Sequence, residues 1–339
     1  MQRVDTGSAV MRDFAYVRAR DVGHALGALG ERANSMLLAG GTNVVDYMRT
    51  GALVADALID ISALPLRDIR VDQGSLRIGA LARMSDVASH VSVKKFFPVV
   101  SEALELSASA QLRNMATIGG NLMQRTRCPY FREAGFACNK RRPGSGCAAR
   151  EGFNRFHAIL GGSEHCVATH ASDFAVALIA LDAVVHLESL RGSREVPLRE
   201  FYRLPGETPQ VESALQLDEM IVSVTCARVP GANRSHYLKL RERASYEFAL
   251  VAVAAIIDAP QGIIASARIA FGGVSTVPWR DGDAEQALTG CAIADADALR
   301  NAAKSALRGA DPLRDNGFKV DLGRRALVRA VKAAGGGGQ

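Results

Sequence analysis

The stretch Leu37-Leu38-Ala39-Gly40-Gly41-Thr42-Asn43 is the first strong indication of how this chain folds. Residues 35–39 have the length and composition of a buried strand, and residues 44–49 have helical spacing. Glycines between a strand and a helix allow a tight turn, and the N–H groups at the helix start can bind an anion. The stretch matches neither the Rossmann nor the Walker A pattern, so a simple strand-to-helix turn is an equal interpretation.

A second double-glycine stretch, Thr117-Ile118-Gly119-Gly120-Asn121, occurs far along the chain. The side chains of Thr117 and Asn121 can form hydrogen bonds to phosphate or ribityl oxygens. Here too a plain turn is the simplest interpretation of the stretch alone. Two glycine pairs that converge on one diphosphate would be more informative than either pair, and they predict a phosphate-bearing cofactor.

Four cysteines follow in one irregular segment with the spacing C-x9-C-x8-C-x18-C: Cys128, Cys138, Cys147 and Cys166. Four thiolates can hold an iron–sulfur cluster, and the basic residues Arg127 and Lys140-Arg141-Arg142 would help to ionise them. Structural zinc usually uses a C-x2–4-C pair, which is absent here. The spacing leaves open a cluster, a zinc site, and disulfides or free thiols.

The remaining cysteines and histidines carry weaker signals. Cys226 and Cys291 stand alone in predicted strand and helix contexts and are interpreted as small buried apolar residues. His157, His165 and His170 flank the last clustered cysteine, where they could ligate metal or serve as structural hydrogen-bonding groups. No Ser-His-Asp arrangement and no pair of carboxylates stands out as catalytic.

Composition sets the class of protein. The chain has 339 residues, 48% hydrophobic and 22% charged, so two or three globular domains are expected. The net charge of +6 is dispersed, without the basic patches of a nucleic-acid-binding domain. No apolar run of about 18 residues is present, so no membrane span is predicted. Residues 1–5 lack the apolar stretch of a signal peptide and a twin arginine, so we expect no export signal of its own.

Periodicity predicts the organisation along the chain. Residues 13–60 form an α/β unit, 68–80 a hairpin, and 85–90 and 97–106 helices, whereas 124–166 are irregular. A helix over 172–185 and a strand over 184–188 follow. After a polar segment at 203–217 come strands at 220–227, 236–241, 249–258 and 263–272 and helices at 281–289, 295–309 and 321–334, a separate α+β domain.

Several of these stretches, in order along nearly the whole chain, resemble one family: the FAD-binding subunits of molybdenum hydroxylases, the xanthine dehydrogenase, aldehyde oxidase and carbon monoxide dehydrogenase group. They are Leu37–Asn43 with Met48, Arg113–Leu122, Ser172-Asp173 before an apolar helix, Asp218-Glu219-Met220-Ile221, and Lys239-Leu240-Arg241 before residues 249–257. The resemblance implies an α+β fold: a two-subdomain FAD-binding domain of the vanillyl-alcohol-oxidase (PCMH) type, followed by a C-terminal antiparallel sheet with helices.

The resemblance also implies domain bounds. The FAD-binding domain would be residues 1–220, with subdomains of about 1–62 and 63–220 and a cysteine-rich insertion at 122–171. The C-terminal domain would be 221–334, and 335–339 a flexible tail. The FAD would be held by residues that match the family's motifs: Leu38, Ala39, Gly40, Gly41, Thr42, Asn43, Ser109, Thr117, Gly119, Gly120, Asn121, Asp173, Ile221 and Lys239.

One departure from most of the family is the length of the connection between Asn121 and Asp173, which is 51 residues here and much shorter in a typical member. The additional segment contains all four clustered cysteines. It resembles the subset of bacterial members, notably aldehyde oxidoreductases with three separate subunits, whose flavin subunit carries an extra [4Fe–4S] cluster. The resemblance thus assigns Cys128, Cys138, Cys147 and Cys166 as ligands of a [4Fe–4S] cluster.

The function implied is that of an electron-transfer subunit in a heterotrimeric aldehyde or xanthine-type oxidoreductase. Its partners would be a large molybdenum-cofactor subunit, a small [2Fe–2S] subunit and an external electron acceptor. The chain would be cytoplasmic, or periplasmic by co-export with a partner. The alternatives are a self-sufficient FAD oxidase or reductase with a structural metal site, and a zinc-stabilised interaction module without redox chemistry.

Overall fold

A computed structural model describes residues 12–72 and 74–336. The stretch at 1–5 considered for an export signal, and the last three residues of the predicted tail at 335–339, lie outside the described residues. The described chain contains three β-sheets with helices packed against them.

The N-terminal unit is a small parallel sheet whose crossovers are helices. Its elements are β1 (Ala15–Arg18), α1 (Val22–Gly30), β2 (Ser35–Leu38), α2 (Val44–Arg49) and β3 (Ala57–Asp60). The strand order is β1-β3-β2, with both pairs parallel. Helix α1 begins at Asp21, whose carboxylate accepts a hydrogen bond from the backbone N–H of His24 at 2.7 Å. The elements from α1 to β3 agree with the predicted α/β unit because local spacing encodes them, whereas β1 was not predicted.

The second unit is a five-stranded antiparallel sheet covered by helices. Its strands are β4 (Ile69–Val71), β5 (Ser75–Gly79), β6 (Val184–Ser189), β7 (Gly192–Pro197) and β8 (Met220–Ala227), in the order β4-β5-β8-β6-β7. Its helices are α3 (Met84–Ser89), α4 (Val91–Phe96), α5 (Pro98–Glu105), α6 (Ala110–Arg113), α7 (Ile118–Leu122), α8 (Pro129–Arg132), α9 (Asp173–Ala180) and α10 (Leu198–Phe201). Every residue of α9 is buried, so this helix lies at the centre of the largest core.

The third unit is an antiparallel sheet flanked by three helices. Its strands are β9 (His236–Leu240), β10 (Val251–Asp258), β11 (Ser266–Gly272) and β12 (Trp279–Arg280), in the order β12-β11-β10-β9. Its helices are α11 (Gly282–Leu288), α12 (Ala296–Ala303) and α13 (Phe318–Ala334). Apolar residues of α13 pack against β10 and β9 in a second core. The predicted α+β class is confirmed.

Two predicted helices are too long, and five short helices were not predicted: α4, α6, α7, α8 and α10. The helix predicted over 172–185 ends at Ala180, because Asp182 adopts a left-handed φ of 50° before strand β6. The helix predicted over 295–309 ends at Ala303, and Leu307 has a φ of 58° beyond it. Helix α4 was missed because it is only six residues long and holds a single buried residue, Val93.

Strand pairing bears on the predicted domain boundary between residues 220 and 221. Strand β8 begins at Met220 and pairs with β5 and β6, so it belongs to the five-stranded sheet of the preceding residues. We therefore propose a boundary after Ala227, in the connection to β9. The cysteine-rich segment is irregular as predicted, and α8 is the one helix described between Met123 and Ala171.

Candidate cofactor site

The two double-glycine loops, distant in sequence, lie against each other. A Cβ atom added to Gly40 would lie 2.0 Å from the backbone oxygen of Met115, so only glycine allows this approach. The side-chain amide of Asn43 donates a hydrogen bond to the backbone oxygen of Gly120 at 3.3 Å. The predicted convergence of the loops is therefore present in the fold.

The loops enclose a cavity of about 140 Å³ between the parallel sheet and the five-stranded sheet. Its lining includes nine of the predicted FAD-binding residues: Ala39, Gly40, Gly41, Thr42, Asn43, Thr117, Gly119, Gly120 and Ile221. The hydroxyl of Thr117 accepts a hydrogen bond from the N–H of Gly120 and caps α7. The short distance between loops leaves room for a flat or extended group and little else.

A larger cavity of about 620 Å³ adjoins the first one, since Thr42 and Asn43 line both. It extends to the C-terminal sheet, where Lys239 and Gly273 contribute to its wall. A small cavity and a large one joined at a glycine loop suit an elongated ligand with a diphosphate in its middle. Leu38 and Ser109 line neither cavity, and Ser109 instead caps α6 by accepting a hydrogen bond from the N–H of Leu112.

A buried ion pair forms part of the wall of the large cavity. Lys239 Nζ donates to Asp173 Oδ2 at 2.8 Å, and Tyr237 donates to Asp173 Oδ1, also at 2.8 Å. Burial, and then the neighbouring carboxylate, raise the pKa of Tyr237 well above its usual value. Ser107 adds a third hydrogen bond to Asp173 at 3.0 Å. The roles predicted for Asp173 and Lys239 at the cofactor remain predictions, and within the protein the two residues stabilise each other.

Asn121 also lies on this wall with its amide held by protein groups. Its Oδ1 accepts a hydrogen bond from the Ser172 hydroxyl at 2.5 Å, and its Nδ2 lies 3.4 Å from the sulfur of Met84. Ser172 in turn caps α9 by accepting a hydrogen bond from the N–H of Ala175. The second glycine loop is thereby joined to the start of the central buried helix.

A charged group that the sequence analysis missed connects the first glycine loop to the cysteine-rich segment. Arg132 donates two hydrogen bonds to the carboxylate of Asp46, at 2.6 and 3.0 Å, and Arg127 donates a third at 3.1 Å. Arg127 also donates to the side-chain oxygen of Asn43. The hydrogen bond from Arg132 is the largest influence on the pKa of Asp46, which is lowered. The sequence analysis had named Arg127 only as a basic neighbour of the cysteines, and Asp46 lies three residues after the glycine loop, inside α2.

All four clustered cysteines line one small enclosed cavity. Cys138 and Cys147 face each other across an isolated antiparallel bridge, and Cys166 pairs similarly with Ser163. All four are free thiols. Burial raises the pKa of Cys128 to about 12 and that of Cys166 to about 11, so these thiols stay protonated at neutral pH unless a cation binds them.

The neighbouring basic residues mostly serve structural contacts. Arg141 donates hydrogen bonds to the backbone oxygens of Tyr130 and Ala134, at 3.0 and 3.1 Å, around the end of α8. Lys140 forms an ion pair with Glu212 at 3.1 Å and lowers the pKa of Cys166, although burial outweighs this influence. The predicted ionising role of the basic loop is therefore small in the protein alone.

Among the three flanking histidines, only His157 has a hydrogen bond to a cysteine sulfur in the described residues. Its Nε2 lies 3.2 Å from Cys128 Sγ, and burial lowers its pKa to about 4. His165 is exposed, and His170 accepts a hydrogen bond from the N–H of Ser172 at 3.2 Å. Of the two isolated cysteines, Cys226 is buried in the first core as predicted, whereas Cys291 is only half-buried where it packs against the second core.

Comparison with known proteins identifies the family to which this chain belongs. Residues 12–229 match the family described as FAD binding domain in molybdopterin dehydrogenase, and residues 236–334 match CO dehydrogenase flavoprotein C-terminal domain. The fold and its paired loops are thus those of a flavin-binding protein. The chain belongs to the FAD-binding medium subunits of the molybdenum hydroxylases, a family of oxidoreductase subunits.

Individual relatives support this assignment. The aldehyde oxidoreductase FAD-binding subunit PaoB of Escherichia coli (strain K12) is 46% identical over 96% of this chain and 99% of its own length. The glyceraldehyde dehydrogenase medium chain of Sulfolobus acidocaldarius is 28% identical over 84% of this chain and 83% of its own. A solved carbon monoxide dehydrogenase from Hydrogenophaga pseudoflava superposes with a TM-score of 0.74 at 26% identity, covering 96% of this chain and 98% of the other. In the described residues, no helix has the length and apolar character to cross a membrane.

Proposed function

We propose that this chain is the FAD- and [4Fe–4S]-binding electron-transfer subunit of a molybdenum-dependent aldehyde oxidoreductase. The observation that carries the proposal is that Cys128 lines both the large cavity beside the glycine loops and the four-cysteine cavity, so two redox groups would share a wall. The aldehyde substrate class is supported by 46% identity to the aldehyde oxidoreductase subunit of Escherichia coli.

The glycine loops are suited to the diphosphate of FAD. The absence of side chains at Gly40 and Gly119 lets the loops pack closely against Met115 and Ala80, and Thr42, Asn43 and Thr117 add polar groups at the same place. When bound, FAD would supply the exchange of electrons between donor and acceptor. The protein would bind and orient it, with Ile221 packed in the smaller cavity and Lys239 at the wall of the larger one.

The four cysteines are suited to a [4Fe–4S] cluster in number, and the cavity of about 10 Å³ that they line would have to widen to hold the iron–sulfur core. In residues 12–72 and 74–336, no group of three or more His, Cys, Asp or Glu side chains is arranged as a preformed site for a metal ion. A cluster places its ligands further apart because an iron–sulfur core stands between them. The donor set of four thiols and the enclosed position between protein walls support the cluster.

The partners follow from the proposed family role. A large molybdenum-cofactor subunit would oxidise the substrate, a small [2Fe–2S] subunit would deliver the electrons, and this chain would pass them to an external acceptor. Its compartment would be that of its partners: cytoplasmic, or periplasmic when a partner with a twin-arginine signal carries the folded complex across.

The test is a metal and flavin analysis of the full chain, purified anaerobically with and without the two partners. We expect one FAD and about four irons per chain. Cys138→Ser should lose the iron and keep most of the flavin, because Cys138 lines the four-cysteine cavity and not the large cavity beside the glycine loops. The matched control Cys291→Ser should keep both.

Each contrary result has a defined meaning. Zinc in place of iron would overturn the cluster, and full iron in the Cys138→Ser variant would overturn the ligand assignment. Aldehyde oxidation by the chain alone would replace the electron-transfer subunit with a self-sufficient flavoenzyme.

A further inference from the structure

The large cavity beside the glycine loops lies next to the cavity that the four cysteines line. Cys128 lines both cavities, and the ring of His157, which contacts Cys128, lines the large one. At this point, only the sulfur of Cys128 and the imidazole next to it would therefore separate a group bound by the four cysteines from the large cavity.

His157 is held in this position from two sides. Its side chain is 3% exposed, with Nε2 directed at Cys128 Sγ at 3.2 Å. Its backbone oxygen accepts hydrogen bonds from Lys319 Nζ at 2.9 Å and Asn316 Nδ2 at 3.1 Å, which come from the start of α13 and the turn before it. Its backbone N–H donates to the backbone oxygen of Asn154 at 3.0 Å. These hydrogen bonds fix the backbone of His157, and its buried ring lies against Cys128.

The direction of the contact follows from the chemistry of the sulfur. A cysteine that ligates iron is a thiolate and carries no proton, so it can only accept a hydrogen bond. The hydrogen between His157 and Cys128 must then come from imidazole Nε2. Such a bond withdraws negative charge from the sulfur and stabilises the reduced, more negative state of a cluster, which raises its reduction potential.

We propose that His157 is a positioning residue that donates a hydrogen bond from Nε2 to the Cys128 thiolate and thereby raises the reduction potential of the cluster. The proposal rests on the [4Fe–4S] cluster of the proposed function. It assigns to the C-terminal domain a role at the redox site, because Asn316 and Lys319 hold the backbone of the histidine that contacts the sulfur.

The test uses two amide substitutions of His157 in the full chain. His157→Gln places an N–H donor near the position of imidazole Nε2, whereas His157→Asn is polar but too short to reach the sulfur. Redox titration monitored by electron paramagnetic resonance should give a potential near that of the original protein for His157→Gln. His157→Asn should show a shift to a more negative potential with the iron and flavin contents unchanged.

The control is His24→Asn in α1, since His24 lines neither the large cavity nor the four-cysteine cavity. Its cluster potential should not shift. An unshifted potential in His157→Asn with full iron would overturn the proposal. If that variant loses iron, His157→Phe, which keeps a ring of similar size without a donor, provides the same comparison. Absence of iron from the original protein would instead overturn the proposed function.

Discussion

At the residue scale, Gly40 is the position where the fold depends most directly on a missing side chain. Its Cα lies so close to Met115 that a Cβ would be 2.0 Å from that backbone oxygen and 2.7 Å from its carbonyl carbon. The obstacle is backbone, which cannot rotate away as a long side chain can. Glycine is needed here because there is no space for a Cβ atom. The close approach that glycine permits allows the two loops to enclose one cavity.

Gly40→Ala should therefore separate the loops. Overpacking of this kind costs about 1–3 kcal/mol, and we expect FAD affinity to fall by about tenfold or more, since 1.4 kcal/mol corresponds to a factor of ten. Flavin fluorescence titration of the full chain measures this. The control is Gly27→Ala in α1, where an added Cβ meets nothing within 4 Å and stability should rise by up to about 1 kcal/mol. Unchanged flavin affinity in Gly40→Ala would contradict the role of the close approach.

At the scale of elements, the cysteine-rich segment is attached to the flavin loop rather than appended beside it. Arg127 and Arg132 from this segment both bind Asp46 of α2, and Tyr47 donates a hydrogen bond to the backbone oxygen of Arg125 at 2.9 Å. Tyr47 also packs edge-to-face on Phe131, with ring centroids 5.7 Å apart. The segment that carries the cysteines therefore supports the helix that follows the first glycine loop.

Asp46→Asn should weaken this attachment. The variant removes a charge that three guanidinium hydrogen bonds share, so we expect a loss of about 1–2 kcal/mol in stability and weaker flavin binding. Chemical denaturation measures the stability, and a flavin titration measures the binding. Asp68→Asn is the control, because the Asp68–Arg70 pair is exposed and such pairs contribute about 0–1 kcal/mol. Equal effects of the two substitutions would mean that the segment and the flavin loop are energetically independent.

At the scale of the whole molecule, α13 joins the C-terminal domain to the redox region through a buried lysine. Lys319 has no exposed surface, and its ammonium donates hydrogen bonds to the backbone oxygens of His157 and Gly273, at 2.9 and 2.7 Å. No carboxylate takes part in these contacts. Burial, and then the charge of Arg155, lower the pKa of Lys319 to about 7.

This depressed pKa predicts a pH-dependent stability. Between pH about 7 and about 10.4, the ordinary lysine value, the unfolded chain binds a proton at Lys319 that the folded chain does not. Stability therefore rises with pH across this window by at most about 5 kcal/mol, and the contribution is lost as pH falls towards 7. Lys319→Met should remove this rise, as measured by denaturation at pH 7, 8.5 and 10. The exposed Lys304→Met serves as the control for loss of one charge. If the stability of Lys319→Met still rises with pH, another titrating group is responsible for the rise.

Local elements were predicted well because their signals are local. The spacing of residues 44–49 gives α2 with its observed bounds, and β8 over 220–227 is likewise as predicted. The ends of α9 and α12 could not be predicted, because residues with positive φ that are not glycine leave no mark in the composition. The boundary between residues 220 and 221 stays a prediction; the pairing of β8, which favours a boundary after Ala227, joins strands far apart along the chain.

The sequence by itself determined the two glycine loops, the family, and the four cysteines as one group, since each is a property of residue type and spacing. Only the tertiary structure decided what lies between them. It brought Arg127 to Asp46, His157 to Cys128, and Lys319 to the backbone of His157. These contacts join residues separated by 29 to 162 positions. Their geometry depends on how three sheets pack together, and no local pattern encodes that packing.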